Sequence, residues 1–231
     1  MEEQAVDGDQ EHKRLKAILQ LPQRVHVCSH PVIQHKLTQL RRAETSAKHF
    51  RELLSEATLF LGFEATKDLV LDELVVDTPL CKATGHVLAS RVSLVPIMRG
   101  GLGLVEPMLT IVPMATVYHI GMYSSPQSLL PVLYYNKLPR TCASDVVIVL
   151  DVQIGSGATL IATVDIVKEW SAGSKVRIKV VSLICSKMGM AKFTATHPDV
   201  DVYVASIDDG MENGLPVPGL GDPGNRMFNA H

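Results

Sequence analysis

The chain has 231 residues, 46% of them hydrophobic, enough for one sizeable core, and no Pro/Gly/Ser-rich linker divides it. Its formal net charge of −2 speaks against a general nucleic-acid binder, which carries a basic excess. No apolar run approaches the roughly 20 residues that span a bilayer, and the polar start MEEQAVDGDQEHK lacks the basic and apolar parts of a secretory signal.

Taken in chain order, residues 1–12 read as a solvated tail. Residues 30–44 and 46–67 read as helices. The second sets Phe50, Leu53, Leu54, Ala57 and Leu61 at three- and four-residue steps, with Thr45 or Ser46 able to cap its start. A hairpin is expected around LDELVVDTPL and HVLASR. From there strands and helices alternate. SLVPIM (93–98) is a buried strand, followed by a Gly-rich turn and a short helix near 102–111. TVYHIGMY (116–123) and VVIVLD (146–151) are further strands, the latter ending in an acid. A helix follows over 158–170. RIKVVSLIC (177–185) and VDVYVASID (200–208) are strands with a helix near 188–196 between them. Strands that are apolar throughout, separated by helices, predict an α/β fold: a mostly parallel twisted sheet with helices on both faces. Ligands of such sheets sit at the C-terminal edges of the strands. The scattered Cys28, Cys81, Cys142 and Cys185 form no metal-ligand pair and fit a reducing, cytoplasmic setting.

The segment from Asp151 to Thr159 carries the chemistry. A buried strand ends at Asp151, and the chain turns through Gly155, Ser156, Gly157 and Ala158 into a helix at about Thr159. Glycines let successive N–H groups point into one concavity, and the start of a helix favours an anion. Ser156 and Thr159 add hydroxyl donors. Together these describe a cup for one phosphate, with Asp151 at its rim to accept from a ribose diol or to help hold a hydrated Mg²⁺. No Gly-Lys-Ser/Thr follows, so this is not a nucleoside-triphosphate P-loop, and it is not a dinucleotide fingerprint either. An ordinary Gly-rich turn with a capping Ser or Thr is the other reading. Arg99, beside Gly100 and Gly101 at a strand end, suits a pyrophosphate with its planar fork of donors. PVPGLGDPGNRMF (216–228) is too rich in Gly and Pro for helix or strand and reads as an ordered loop, a hood over a small planar ligand.

These residues closely resemble the uracil phosphoribosyltransferase family over about residues 29–229. The resemblance is carried by SHPVIQHKLTQLR, FRELL, FEATKDL, VPIMRGGLG, HIGMY, YYNKLP, LDVQIGSGAT, THPDVDVYVASIDDG and VPGLGDPGNRMF. It implies a type I phosphoribosyltransferase fold over 29–231 with a C-terminal hood loop, after an acidic polar tail at 1–28. It implies transfer of the phosphoribosyl group of 5-phosphoribosyl 1-diphosphate to uracil with Mg²⁺ held through the bound diphosphate, giving UMP. A homo-oligomer and a GTP effector are implied by relatives; nucleic acid and membrane are not. Residue by residue, Asp151 would bind the ribose hydroxyls within a loop that continues through Val152, Gln153 and Ile154. Gly155, Ser156, Gly157, Ala158 and Thr159 would hold the 5-phosphate, and Arg99 would meet the diphosphate. Pro216, Gly221, Asp222 and Pro223 belong to the uracil-side hood, where Asp222 would also approach the donor and its metal.

The chain departs from the family pattern at several of these positions. The family loop usually reads D-P-M-L-A-T-G-G-S. Ala158 stands where it has Gly, so its Cβ is expected to crowd the phosphate or to forbid a positive φ. Ser124 stands where an arginine usually follows Tyr. Pro216 and Pro223 remove two N–H groups from the hood. These departures motivate an alternative: a non-catalytic relative that keeps the phosphate loop and works as a regulatory or binding subunit.

Overall fold

The computed structural model describes residues 23–125 and 130–230. Strands in chain order are β1 (Val25–Val27), β2 (Leu71–Asp77), β3 (Lys82–Leu88), β4 (Val92–Met98), β5 (Thr116–Val117), β6 (Ile120–Ser124), β7 (Pro131–Asn136), β8 (Val146–Ile154), β9 (Arg177–Ser186), β10 (Asp201–Val204), β11 (Ser206–Asp208), β12 (Gly210–Glu212) and β13 (Leu215–Val217). Helices are α1 (Pro31–Arg41), α2 (Ala47–Thr66), α3 (Val105–Ile111), α4 (Ala158–Trp170), α5 (Lys187–Thr196) and α6 (Pro223–Phe228), with a 3-10 turn at Gly100–Leu104.

The main sheet runs β1-β10-β9-β8-β4-β6-β7, with β11 beside β9 and β5 beside β4. Every pairing along it is parallel except β6–β7. Its central strands are buried on both faces, as their unbroken apolar composition requires. On one face Ile148, Leu150 and Leu94 pack under α1, α2 and α3 through Ile33, Leu37, Phe50, Leu54, Leu61 and Met108. On the other, Val147, Val149, Val95 and Val180 pack under α4 and α5 through Leu160, Val164, Val167, Met190 and Phe193. The alternation Val147/Ile148/Val149/Leu150 thus feeds two cores from one strand. The α/β class with a mostly parallel sheet is what the alternating pattern predicted.

Local chemistry sets the helix ends. Ser46 caps α2, its hydroxyl accepting from the His49 N–H at 3.3 Å. The α1 helix starts with Pro31 at its first turn behind the His30 ring, whose Nδ1 accepts from the Val32 N–H.

Several expectations change in detail. The 116–123 strand is two pieces, as is 200–208, interrupted at 118–119 and at Ala205 with the register kept across each gap. Both pieces still pair with one neighbour in each case, β4 and β9. The β8 strand runs to Ile154, so Asp151 lies inside it rather than at its end. The sheet also takes in Val25–Val27, within the stretch expected to trail as a tail; residues 1–22 lie outside the described residues.

The largest correction is the C-terminal segment, which is not a loop throughout. Leu215–Val217 pairs with Gly210–Glu212, and 223–228 is helical. Two residues explain it. Asp222 caps α6 by accepting from the Asn225 N–H at 2.8 Å, and Pro223 takes a first-turn position where a missing N–H costs nothing.

Candidate functional site

The C-terminal edge of the sheet opens into one cleft with two lobes, of about 350 and 450 Å³, within the usual range for small-molecule sites. Met98, Gly100, Met122, Tyr123, Asp151, Gln153 and Asp222 line both.

The first lobe adds Arg99, Tyr134, Pro223 and Gly224. Arg99 follows β4, is exposed, and donates from Nη2 to the Asn225 side-chain oxygen at 2.9 Å. Its guanidinium therefore keeps most of its donors for a ligand. Gly101, one turn on, is buried against the Leu150 carbonyl, which ties the turn to β8.

The second lobe adds Ile154, Gly155, Ser156, Gly157, Thr159 and Leu160 from the loop into α4, and Met211, Asn213, Gly214 and Leu215 from the β12–β13 hairpin. Gly157 precedes α4 at φ +79°, a conformation that strongly favours glycine. No side chain caps α4 at this residue. The loop is held from below: the Ser186 hydroxyl donates to the Gly155 carbonyl at 2.7 Å and accepts from the Gly189 N–H at 2.9 Å. A helix start whose N-cap is glycine, facing a polar hollow, has the backbone geometry that favours an anion. The positive φ that Ala158 would forbid is not required of it. The positive φ falls on Gly157, and Ala158 is the first helical residue, its N–H 3.4 Å from the Ser156 hydroxyl.

Asp151 stands between the lobes. Its Oδ1 accepts from the Val152 N–H at 2.8 Å. Burial pushes its carboxyl up to about 7, against the backbone hydrogen bonds from Val152 and Gln153 that pull it down. A ligand cation or a set of hydroxyl donors would favour its ionised form.

The hood is anchored from behind. Asp208 takes the Arg41 guanidinium at 2.8 Å and the buried Gly219 N–H at 2.8 Å, while Arg41 also donates to the Gly219 carbonyl. Burial raises the Asp208 pKa, but the Arg41 and Gly219 hydrogen bonds outweigh it and hold the carboxyl below the usual range. Arg226 donates to the Leu40, Leu220 and Arg42 carbonyls and lies 4.4 Å over the Phe50 ring.

The structure thus brings together Arg99, Asp151, Gln153, Ile154, Gly155, Ser156, Gly157, Thr159, Asp222 and Pro223. Val152, Ala158, Pro216 and Gly221 are not among the lining residues. Val152 alternates into the α1–α3 core, and Pro216 is buried in β13 opposite Met211. The Ser124 side chain lies outside the described residues. Sequence reasoning missed the walls built by Met98, Met122, Tyr123, Tyr134 and 211–215. The hairpin was findable: Asn213-Gly214 between two short strands, with φ of 50° and 81°, is the two-residue turn that this dipeptide favours.

The fold and cleft define a class: an α/β protein with a polar, two-lobed cleft at the C-terminal edge of a mostly parallel sheet. Comparison with known proteins gives the family. The family model described as uracil phosphoribosyltransferase matches residues 27–230. The chain is 48% identical over 205 residues to a uracil phosphoribosyltransferase from Roseiflexus sp. (strain RS-1), covering 88% of this chain and 97% of the relative. It is 41% identical over 202 residues to one from Clostridioides difficile (strain 630), covering 87% and 95%. A solved protein from Aquifex aeolicus superimposes with a TM-score of 0.82 at 30% identity, over 88% of this chain and 97% of that one. The chain belongs to the uracil phosphoribosyltransferase family.

Proposed function

We propose that this protein transfers the phosphoribosyl group of 5-phosphoribosyl 1-diphosphate to uracil, releasing UMP and diphosphate. The observation that carries the reading is a single cleft with the glycine-led start of α4 in one lobe, Arg99 in the other and Asp151 between them. That spacing of anion sites suits a ribose phosphorylated at both ends. The diphosphate leaves ribose C1 through an oxocarbenium-like state, and the base nitrogen arrives from the opposite side. The chain's own part is to position both reactants, to neutralise the leaving group with Arg99, and to exclude water beneath the hood. No nucleophilic side chain is required.

Asp151 and Asp222 both line the cleft, and one or two carboxylates beside substrate phosphates form the donor set that Mg²⁺ prefers. They fit a cation that enters with the diphosphate; when bound, it would supply charge neutralisation there. Among the described residues no helix is long and apolar enough to cross a membrane. Free thiols, Cys81 exposed among them, support a reducing, cytoplasmic setting.

A second copy of the chain is the proposed partner. The β2–β3 hairpin exposes Leu74, Val75 and Leu80, the last at 95%, an apolar surface of the kind that marks an interaction site. Light scattering on the purified protein and on Leu80→Lys tests this; a monomeric wild-type mass refutes it.

The decisive experiment combines purified protein, labelled uracil, 5-phosphoribosyl 1-diphosphate and Mg²⁺. UMP is the expected product, and Asp151→Ala is expected to abolish it while remaining folded. Wild-type-like turnover by that variant removes Asp151 from the site. Donor binding by calorimetry without turnover would instead support the non-catalytic reading, and turnover with another base a different acceptor. Adding GTP to the same assay tests the implied effector.

A further inference from the structure

Arg99 is the only cationic side chain among the described residues that line either lobe. It is exposed, and a long exposed side chain that orders only on a ligand gives up rotamer freedom at that moment. Here the protein itself sets the conformation. The side chain leaves the turn after β4 and runs along the first turn of α6, where a Cβ at Gly224 would lie 3.6 Å from the Arg99 Cβ and 3.5 Å from its Nε. It ends on Asn225, whose side-chain oxygen accepts from Nη2 at 2.9 Å across 126 residues of sequence. Among the described residues this is its only side-chain hydrogen bond, and no carboxylate pairs with it.

Asn225 is fixed in turn through its backbone. Its N–H donates to the Asp222 carboxylate at 2.8 Å, and its carbonyl accepts from the Asn229 N–H and, at 3.1 Å, from the Ala230 N–H. The side chain contributes to none of these bonds, so α6 holds its shape without it. What the side chain does is hold one corner of the Arg99 fork and leave the other donors open to the lobe. This inference rests on the functional reading above, in which Arg99 meets the leaving diphosphate. We propose that Asn225 is a positioning residue for the transfer: it acts through Arg99, so that the helix at the end of the hood, and not the ligand, orders the cation of the diphosphate lobe.

The test pairs Asn225→Leu, which keeps the size and removes the acceptor, with Asn225→Asp, which keeps an acceptor oxygen in the same place. Titration calorimetry with Mg²⁺ present measures inorganic diphosphate and UMP, and thermal melting follows the same proteins. Asn225→Leu is expected to bind diphosphate about tenfold more weakly, the scale of ordering one long side chain on the ligand. It is expected to bind UMP, which carries no diphosphate, as tightly as wild type and to melt with it. Asn225→Asp is expected to stay within about threefold of wild type for both ligands, because a carboxylate oxygen also accepts from the guanidinium. In an Arg99→Ala background Asn225→Leu is expected to cause no further loss, as a residue acting only through Arg99 requires. In steady state the donor KM should rise while the uracil KM stays unchanged. A purely structural side chain would instead lower the melting temperature and weaken both ligands together. Equal diphosphate affinity in Asn225→Leu and wild type overturns the proposal. So does a parallel loss for UMP, an equal loss in Asn225→Asp, or a further loss in the Arg99→Ala background. A wild-type protein that binds neither ligand would refute the functional reading itself, and is told apart from these outcomes by the wild-type titration.

Discussion

Gly101→Ala tests whether the Arg99 turn must lie tight against the sheet. A Cβ at this position would sit 2.2 Å from the Leu150 carbonyl oxygen and 3.1 Å from Pro96 Cα. Both neighbours are strand backbone, hydrogen-bonded into the middle of the sheet, so no rotamer change relieves the contact. Opening 2.2 Å to an acceptable separation lifts the turn by about 1 Å, an overpacking that costs about 1–3 kcal/mol. In a protein of this size that lowers Tm by roughly 2–12 °C, at about 2–4 °C per kcal/mol. The turn carries Arg99 and sets Gly100 against the Asp151 carboxylate, so the same shift misplaces the lobe proposed to receive the diphosphate. A displacement of about 1 Å can lower turnover by about 10²-fold. The assay is UMP formation at varied donor, with melting measured in parallel. Gly173→Ala is the control: its φ is +86° and no atom would meet the new Cβ within 4 Å. It is expected to lose about 1–2 kcal/mol from backbone strain and to leave kcat/KM unchanged. A Gly101→Ala protein with wild-type kcat/KM would show that the turn tolerates displacement, and would refute the argument.

Asp151 gives a pH signature. Its folded-state pKa of about 7 lies above the unfolded value of about 3.9, so the folded state holds the proton more tightly. The resulting stability is fully present below about pH 4 and is lost as pH rises towards 7. Urea unfolding of ligand-free protein is expected to show that decline, and Asp151→Asn to flatten it; an unchanged slope in the variant counts against a buried carboxyl. Asp208→Ala leaves the Arg41 guanidinium without its counter-charge and the buried Gly219 N–H without an acceptor, at a cost of about 3–5 kcal/mol. The KM for uracil should rise with it, since the hood loses its anchor. A loss below about 1 kcal/mol, typical of an exposed pair, would show that the contact does not hold the hood. Ala158→Gly is expected to lose about 1 kcal/mol of helix stability without tightening donor binding. Tighter binding would mean that the Cβ crowds the phosphate after all.

Much of the scaffold was legible in the chain alone. Apolar strands such as VVIVLD, set between helices with a 3.6-residue period, have one economical solution: a parallel sheet covered on both sides. The Ser46 cap and the α4 start at Ala158 are local in origin and were legible for that reason. So was the glycine turn into α4, since glycines before a helix start act through the backbone they shape. What depended on distant residues was not legible. Capping by Asp222 turns a Gly/Pro-rich stretch into α6, and pairing with 210–212 turns Leu215–Val217 into a strand. The chain order of Arg41, Asp208 and Gly219 gives no hint that they meet, because their separations, 167 and 11 residues, are closed only by the packed sheet. Most of all, the burial that raises the Asp151 pKa belongs to the assembled cleft. Desolvation is a property of everything that surrounds a group, and residue order specifies those surroundings only through the completed fold.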